Sequence, residues 1–573
     1  MKHVFLATGF GKGEHLVATL QAWRQRTAAE AGAPAAALHY IALLPTLPGA
    51  QDVAPELRDG WPVNVPGFHR LTFDEGRVTL DLLAGPIEAT LPQLEARVDT
   101  FYLPAPIEPM RALAKLALPG ATLELHDADE AALKALRSAG FEWQPVGAGA
   151  GVQAVFTSRK PQPPRAPEPV RRAVVIGAGM AGAAACERLA ARGWDVTLIE
   201  RHERPAQEAS GNRSGIFMPL SKDDNIPTRL SRAAYLYAMR HWQRLGGLNA
   251  NASIGPAAAA HSPIAGAQCG VLQLARDAEH ALLQKEVAAQ WNYPPEYVRW
   301  VDAVEASALL GAPTPDGGWL FSQGGWANPA SICRAMLDAC GARLSRVFNA
   351  EALQLERAGE LWQVRAQGGV LLAEAPHVVL ANGAGALAIA QTAQLPLYTM
   401  RGQVTHLQEQ DFPRLPLVVC REAYLTPPVH GIVSIGATYD SDTDRALRDA
   451  SQQENLSRAR DILPGALPQD SSNQLPLAGR VGLRCMAPDR LPLAGPLPDY
   501  GATLRMERLR DVPRHAGLYG LLGYASRGLI WAPLAAELLA AQLEHEPLPL
   551  EAALAAALDP ARFLLKSRRG GQV

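Results

Sequence analysis

Short apolar runs closed by turn residues alternate with stretches of helical spacing from the first residues onward. Runs at 4–7, 38–44, 77–83 and 151–157 predict buried strands, and 16–26 and 128–138 carry apolar residues at helical intervals. Strands and helices in turn predict an α/β domain over residues 1–157. Pro161-Gln-Pro-Pro-Arg-Ala-Pro-Glu-Pro169 then interrupts the pattern. Prolines at this density exclude a helix or an inner strand, so 158–172 reads as a stiff, extended linker. From the apolar run 173–176 a longer α/β region follows without a second linker, over 173–560. The tail 561–573, with Lys566-Ser-Arg-Arg569-Gly-Gly, is expected to be disordered. No internal repeat is visible.

The most informative stretch is 173–200. Ala-Val-Val-Ile runs into Gly177-Ala-Gly179-Met-Ala-Gly182, then an Ala-rich helical stretch, then a second apolar run ending in Glu200. Gly177 permits a tight turn, Gly179 lets a pyrophosphate reach the backbone, and Gly182 lets the helix lie on the strand. The helix start offers free N–H groups and the positive end of its dipole to the pyrophosphate. Glu200 is placed to accept hydrogen bonds from the adenosine ribose. A lone G-x-G-x-x-G is weak, but here strand, helix and terminal acid all accompany it.

This unit by itself does not separate NAD from FAD. Three later segments do so by their order. Glu208-Ala-Ser210-Gly211-Asn-Arg213-Ser-Gly215 is a small-residue loop suited to close cofactor contact. A buried strand ends in Ala-Asn-Gly383-Ala-Gly385. Near the C-terminus, Gly523-Tyr-Ala-Ser526-Arg527-Gly528 joins a strand to a helix whose N-terminus suits the flavin ring in its reduced, anionic form.

Composition narrows the classes further. The 573 residues exceed one hydrophobic core, and 54 basic against 56 acidic residues give no overall attraction to nucleic acid. Any such contact needs a local patch. Arg159, Lys160, Arg165, Arg171 and Arg172 cluster at the linker, where a solvated charge run is the plainer reading. None of the six cysteines forms a C-x-x-C pair, which argues against structural zinc, a redox dithiol or a disulfide framework. No metal is expected. No apolar run reaches the roughly 18 residues that span a bilayer, and the N-terminus reads as a strand and turn, so a soluble, cytoplasmic protein is expected.

The order of the flavin segments resembles the D-amino-acid-oxidase/glycine-oxidase superfamily over roughly 173–560, with Gly482-Leu-Arg484-Cys-Met-Ala-Pro-Asp489-Arg-Leu-Pro492-Leu-Ala-Gly495 similar to its last segment before the flavin contact. More narrowly, the chain resembles the bifunctional tRNA 5-methylaminomethyl-2-thiouridine biosynthesis proteins. Ala209-Ser-Gly-Asn-Arg213, Leu220-Ser-Lys222, Gln323-Gly-Gly-Trp326, Gly402-Gln403-Val404, Tyr424-Leu-Thr-Pro427, Gly436-Ala-Thr-Tyr439, Pro498-Asp-Tyr500 and Ser526-Arg-Gly528 carry that likeness.

The resemblance implies an FAD-binding domain of Rossmann type joined to a mixed-sheet substrate domain. It also implies oxidative removal of the carboxymethyl group from 5-carboxymethylaminomethyl-(2-thio)uridine at the tRNA wobble position, leaving 5-aminomethyl-(2-thio)uridine. Gly177, Gly179, Gly182, Glu200, Ser210, Gly211, Arg213, Gly383, Gly523, Ser526, Arg527 and Gly528 are the expected cofactor contacts. The substrate carries a glycine as its secondary amine, and Arg484 is the candidate clamp for that carboxylate because a guanidinium meets both oxygens. A structural ion pair is the competing reading of Arg484. Tyr424 and Tyr439 are candidates to line the pocket, and Lys222 to lie near the flavin. An oxidase of free glycine or another small amino acid remains the alternative.

By the same resemblance the N-terminal domain is a shortened, Rossmann-like methyltransferase using S-adenosylmethionine to reach 5-methylaminomethyl-(2-thio)uridine. Gly9-Phe-Gly11-Lys-Gly13, Pro66-Gly-Phe-His-Arg, Asp74-Glu-Gly-Arg-Val-Thr-Leu-Asp81-Leu and Leu118-Pro-Gly-Ala-Thr122 fit it. The acid expected after the second strand is absent from Tyr40-Ile-Ala-Leu-Leu-Pro45. The Asp expected in a reaction-centre segment is absent from Phe101-Tyr-Leu-Pro-Ala-Pro106, and little precedes the first strand. The expectation is a domain that supports the oxidoreductase or docks tRNA and does not methylate. Oligomeric state is not legible.

Overall fold

The computed structural model describes residues 2–29, 37–108, 110–147, 151–157, 170–220, 223–254, 263–467, 477–502 and 506–570. The proline-rich run 161–169, the basic residues Arg159, Lys160 and Arg165, and Lys222 lie outside these. The chain divides into two compact units: residues 1–169 with 541–555, and residues 170–540 with 556–573.

The first unit is an eight-stranded sheet. Its strands are β1 (Lys2–Ala7), β2 (Ala37–Leu44), β3 (Gly67–Phe73), β4 (Val78–Ala84), β5 (Val98–Leu103), β6 (Ala117–Leu125), β7 (Phe141–Pro145) and β8 (Val152–Phe156). They lie in the order β3-β4-β2-β1-β5-β6-β8-β7. β4, β2, β1, β5 and β6 are parallel, while β3 and β8 run against their neighbours. α1 (Glu14–Ala29), α2 (Ile87–Thr90), α3 (Met110–Leu116) and α4 (Glu130–Ala139) connect them. α4 shows how local sequence sets its bounds. The Asp129 carboxylate accepts the Ala132 N–H at the start, and Gly140 takes the left-handed conformation at the end. Apolar side chains alternate across the strands and form a core on each face.

The stretch 541–555, expected with the oxidoreductase, instead belongs to this first unit. Lys2 pairs with Glu544 (2.5 Å) and Glu546 (2.6 Å), and Arg70 donates to the Pro547 carbonyl (2.7 Å). The same Arg70 forks onto buried Asp81 (2.8 and 2.7 Å), which also meets His39 (2.7 Å). Burial raises the Asp81 pKa, but Arg70 and His39 outweigh it and hold it below the usual carboxylate range.

In the second unit, β9 (Arg172–Ile176) and β10 (Asp195–Ile199) belong to a six-stranded sheet with Leu344–Val347, His377–Leu380, Leu493–Pro498 and Arg514–Leu522. β9 lies between β10 and His377–Leu380, all parallel, and α5 (Met180–Ala190) crosses from β9 to β10. Val174, Ile176, Val378, Leu380, Leu518 and Leu522 share the core beneath. A mixed eight-stranded sheet contains Val418–Cys420, Tyr424–Leu425, Ile432–Gly436, Tyr398–Gln408 and Ala478–Met486. The expected disordered tail is corrected over most of its length, because Arg562–Gly570 is a helix. Its neighbour Ala561 and its own Leu564 and Leu565 are buried with Met506 and Val512, and that contact orders it. Among the described residues no helix is long and apolar enough to cross a membrane, and no group of three His, Cys, Asp or Glu is placed to hold a metal.

Candidate active site

β9 delivers the chain into a turn whose geometry requires its glycines. Gly177 has φ +102, and a Cβ there would lie 2.7 Å from the Ala381 carbonyl oxygen. A Cβ on Gly182 would collide with the Gly177 carbonyl, so α5 lies directly on the turn. At Gly179 the nearest atom to an added Cβ is Ser210 Oγ, at 3.1 Å, and this hydroxyl accepts the Met180 N–H (3.1 Å). Glu200 is buried at the end of β10. Its carboxylate accepts the Ala178 N–H (2.7 Å) and the His202 N–H (2.9 Å) and still borders the cavity.

That cavity, of about 1090 Å³, extends from the turn to the mixed sheet. Ligand pockets run to roughly 1,000 Å³, so the space suits a large cofactor with a substrate beside it. Gly177, Gly179, Glu200, Ser210, Gly383, Gly523, Ser526, Arg527 and Gly528 line it, together with Tyr424, Tyr439 and Arg484. Gly182, Gly211 and Arg213 do not. Gly182 is spent on the helix–turn contact. Gly211 gives room to Arg480, whose guanidinium donates to the carbonyls of Gln207 (2.7 Å) and Glu208 (2.5 Å) and pins the Ser210 loop. Arg213, with Arg480, acts on His406: burial first, then these two cations, bring that imidazole down to about 4.

The same loop is tied from outside through Glu208, which meets Arg201 (2.5 Å), His202 (2.8 Å) and Arg445 (2.8 Å). Burial opposes ionisation of Glu208, and hydrogen bonds from Arg445, His202 and Arg201 overcome it and hold the carboxyl at about 2.

At the mixed-sheet end, Arg484 extends from Ala478–Met486. Gly402 on the neighbouring strand has no side chain, and a Cβ there would collide with the Arg484 guanidinium. Arg484 donates to the Thr438 carbonyl (2.9 Å) and lies 4.1 Å over the Tyr439 ring. Tyr439 in turn meets Ser526 Oγ (2.6 Å). Burial pushes the Tyr424 phenol up to about 12, so at neutral pH it is a hydrogen donor. Arg527 stands just before the helix Gly528–Leu543, and burial lowers its pKa from the ordinary value. Among the described residues neither Arg484 nor Arg527 has a carboxylate partner. Both guanidinium groups border the cavity without such a partner. The competing structural ion pair for Arg484 is therefore not what the geometry shows.

Sequence reading missed Arg480 and the role of Gly402. A glycine inside a strand, as at Gly402, is a signal of close approach. For Arg480 no local signal exists, because its partners are some 270 residues away.

A model of FAD dependent oxidoreductases matches residues 172–542. A tRNA 5-methylaminomethyl-2-thiouridine biosynthesis bifunctional protein, MnmC, of Burkholderia thailandensis is 42% identical over 99% of this chain and 90% of its own. The chain belongs to the MnmC family. A model of S-adenosyl-L-methionine-dependent methyltransferases matches residues 48–145, from just after β2 to β7. Among solved structures, glycine oxidase from Geobacillus kaustophilus is similar at TM-score 0.54 and 21% identity, over 69% of this chain and 99% of that one. L-proline dehydrogenase from P. horikoshii is similar at TM-score 0.53 and 19% identity, over 71% and 100%. These two share the fold of this MnmC member's second unit. The cofactor is FAD, and the glycine cradle, buried Glu200 and cavity fit it. The methyltransferase match in the first unit implies S-adenosylmethionine as that family's cofactor.

Proposed function

We propose that this MnmC protein oxidises the carboxymethylaminomethyl group of wobble uridine in tRNA, releasing the carboxymethyl part and leaving the primary aminomethyl group. The relatives, named for tRNA 5-methylaminomethyl-2-thiouridine biosynthesis, suggest the tRNA substrate. The observation that carries the chemistry is Arg484, held against Gly402 by backbone carbonyls and a tyrosine ring and left without an acid.

FAD, when bound along the Gly177–Gly179 turn, supplies a two-electron acceptor. The residues of this chain orient the substrate. Arg484 holds the glycyl carboxylate through two parallel hydrogen bonds, and the Tyr424 hydroxyl donates a third. Tyr439 packs on the guanidinium and, through Ser526, ties it to the start of the helix Gly528–Leu543, so the clamp is preorganised. Holding the carboxylate fixes the adjacent CH₂; one C–H and the amine N–H are lost as two electrons and two protons, the electrons passing to the flavin when it is bound, and the C–N bond becomes C=N. Water then cleaves the resulting imine into glyoxylate and the primary amine. Glu200, Ser210 and Gly179 act on the cofactor's far end. No step is assigned to S-adenosylmethionine. A tRNA substrate fits a protein of the cytoplasm.

Supplied with tRNA bearing carboxymethylaminomethyl-uridine, the purified protein is expected to yield the aminomethyl nucleoside and glyoxylate in equal amounts. Arg484→Ala should cost about 2–4 kcal/mol in kcat/KM, because a desolvated carboxylate loses its partner. Unchanged turnover by that variant would remove Arg484 from the role. Turnover of free glycine with no reaction on tRNA would make this an oxidase of small amino acids.

A further inference from the structure

In the first unit the strand order turns back on itself at β1 and β5. The crevice beyond the carboxyl ends of those strands is where a doubly wound sheet takes its ligand. The chain's own side chains stand there. The Glu14 carboxylate, in the first turn of α1, accepts the Lys12 N–H (2.9 Å). Bonds from the backbone of Glu14 and Lys12 hold it below the ordinary glutamate value. This exposed carboxylate of the protein thus covers the Lys12 amide just ahead of α1.

Gly9 is closed off from across the crevice, where a Cβ would lie 2.9 Å from Pro104 Cγ. At Gly13 a Cβ would lie 2.6 Å from Leu57 Cδ1. Between the strand ends, His15 stacks on Tyr102 with centroids 3.8 Å apart and meets the Tyr40 hydroxyl through Nδ1 (2.9 Å). The Thr8 N–H donates to the Tyr102 carbonyl (3.1 Å), joining the two sides. Thr8 Oγ1 is left without a partner, a single hydroxyl against the several contacts a nucleoside takes. The acid that would follow β2 is absent, since β2 finishes at Leu43-Leu44, and the acid at the end of β6, Glu124, is paired with His126 (2.7 Å). The second unit has buried Glu200 at the place corresponding to Leu44.

We infer that this crevice is filled by His15, Tyr102 and Pro104 and takes no S-adenosylmethionine. The first unit therefore transfers no methyl group. Taken with the proposed oxidation, on which this last step rests, the chain ends its work at a primary amine. A separate N-methyltransferase must consume that product wherever the methylated nucleoside is made.

The test uses the full-length, FAD-loaded protein. Equilibrium dialysis with labelled S-adenosylmethionine is expected to show no saturable binding. Incubation with tRNA already carrying aminomethyl-uridine is expected to leave the label out of the nucleoside. Supplying the aminomethyl tRNA ready-made keeps this arm independent of the oxidation. If carboxymethylaminomethyl tRNA is not turned over, the oxidation reading falls and the crevice result stands by itself. One equivalent of bound S-adenosylmethionine, or labelled methylaminomethyl-uridine, overturns the inference. Leu44→Asp restores a strand-end acid and is expected to remain unable to bind. Binding by that variant would show that the missing acid, and not the closure, excludes the cofactor, and would overturn the closure.

Discussion

The chain contains the same local device twice, a strand running through a glycine turn into a helix, and the two copies differ in what faces the turn. At Gly177–Gly182 the turn borders a cavity of about 1090 Å³, and a buried acid, Glu200, stands at the next strand end. At Gly9–Gly13 the glycines face Pro104 and Leu57, a protein carboxylate takes the Lys12 amide, and the next strand ends in Leu44. Glycine content does not separate them, since both turns are rich in it. The difference lies in what the remainder of each unit places against the turn. A glycine turn is permission for a close approach, and the approaching group can be a pyrophosphate or a proline ring.

The largest expected effect breaks the open copy. Gly177→Ala puts a Cβ 2.7 Å from the Ala381 carbonyl at φ +102, a conformation that costs a residue with a side chain about 1–3 kcal/mol before the collision is counted. The purified variant is expected to be colourless and to stay so with added FAD. Gly9→Ala in the closed copy meets only Pro104 Cγ, so the protein should fold and keep its yellow colour. A yellow Gly177→Ala protein would undo the contrast.

Next in size, Glu200→Gln removes the carboxylate that faces the cavity while keeping an oxygen for one of its two backbone amides, those of Ala178 and His202. FAD affinity should fall by about 1–3 kcal/mol, read by titrating the apoprotein with FAD. Affinity equal to the parent's would show that Glu200 serves the turn alone.

The smallest effect concerns the Ser210 loop, which only the open copy has. Glu208 is held at about 2 in the folded protein, below the roughly 4.3 of an unperturbed glutamate. A lowered folded pKa contributes stability that is present above the unfolded value and is lost as pH falls through the folded one. Glu208→Gln should therefore lower the thermal midpoint at pH 6, and its gap to the parent should narrow below about pH 4.3 and vanish near pH 2. Because Glu208 and its partners are partly exposed, added salt should shrink the gap as well. A gap that does not change with pH would assign the loss to packing.

Much of the second unit was legible from residues close together in the chain. Strand, turn, helix and acid lie within 173–200, and each obeys a local rule of period, backbone freedom or end charge. Arg484 was legible as a cation of the right chemistry, but its freedom from an acid was not. That depends on Gly402 and Thr438, which reach it through sheet pairing. Arg213, expected at the cofactor, does not line the cavity, and its charge acts on His406 of the mixed sheet, far off in sequence. Residues 541–555 and the helix Arg562–Gly570 also went unread. Their contacts, with Lys2 and Arg70 in one case and with Met506 and Val512 in the other, lie far off in sequence.

By itself the sequence determined the elements around both glycine turns, the cofactor class of the second and the missing acid of the first, because each follows from neighbouring residues. Only the tertiary structure decided which turn is open. The groups that close or free a turn, Pro104 and Tyr102 against Gly9 and His15, or Ser210 and Ala381 around Gly179 and Gly177, come from strands and loops that meet only after the sheets have formed. A side chain within van der Waals contact excludes a ligand whatever the local motif offers.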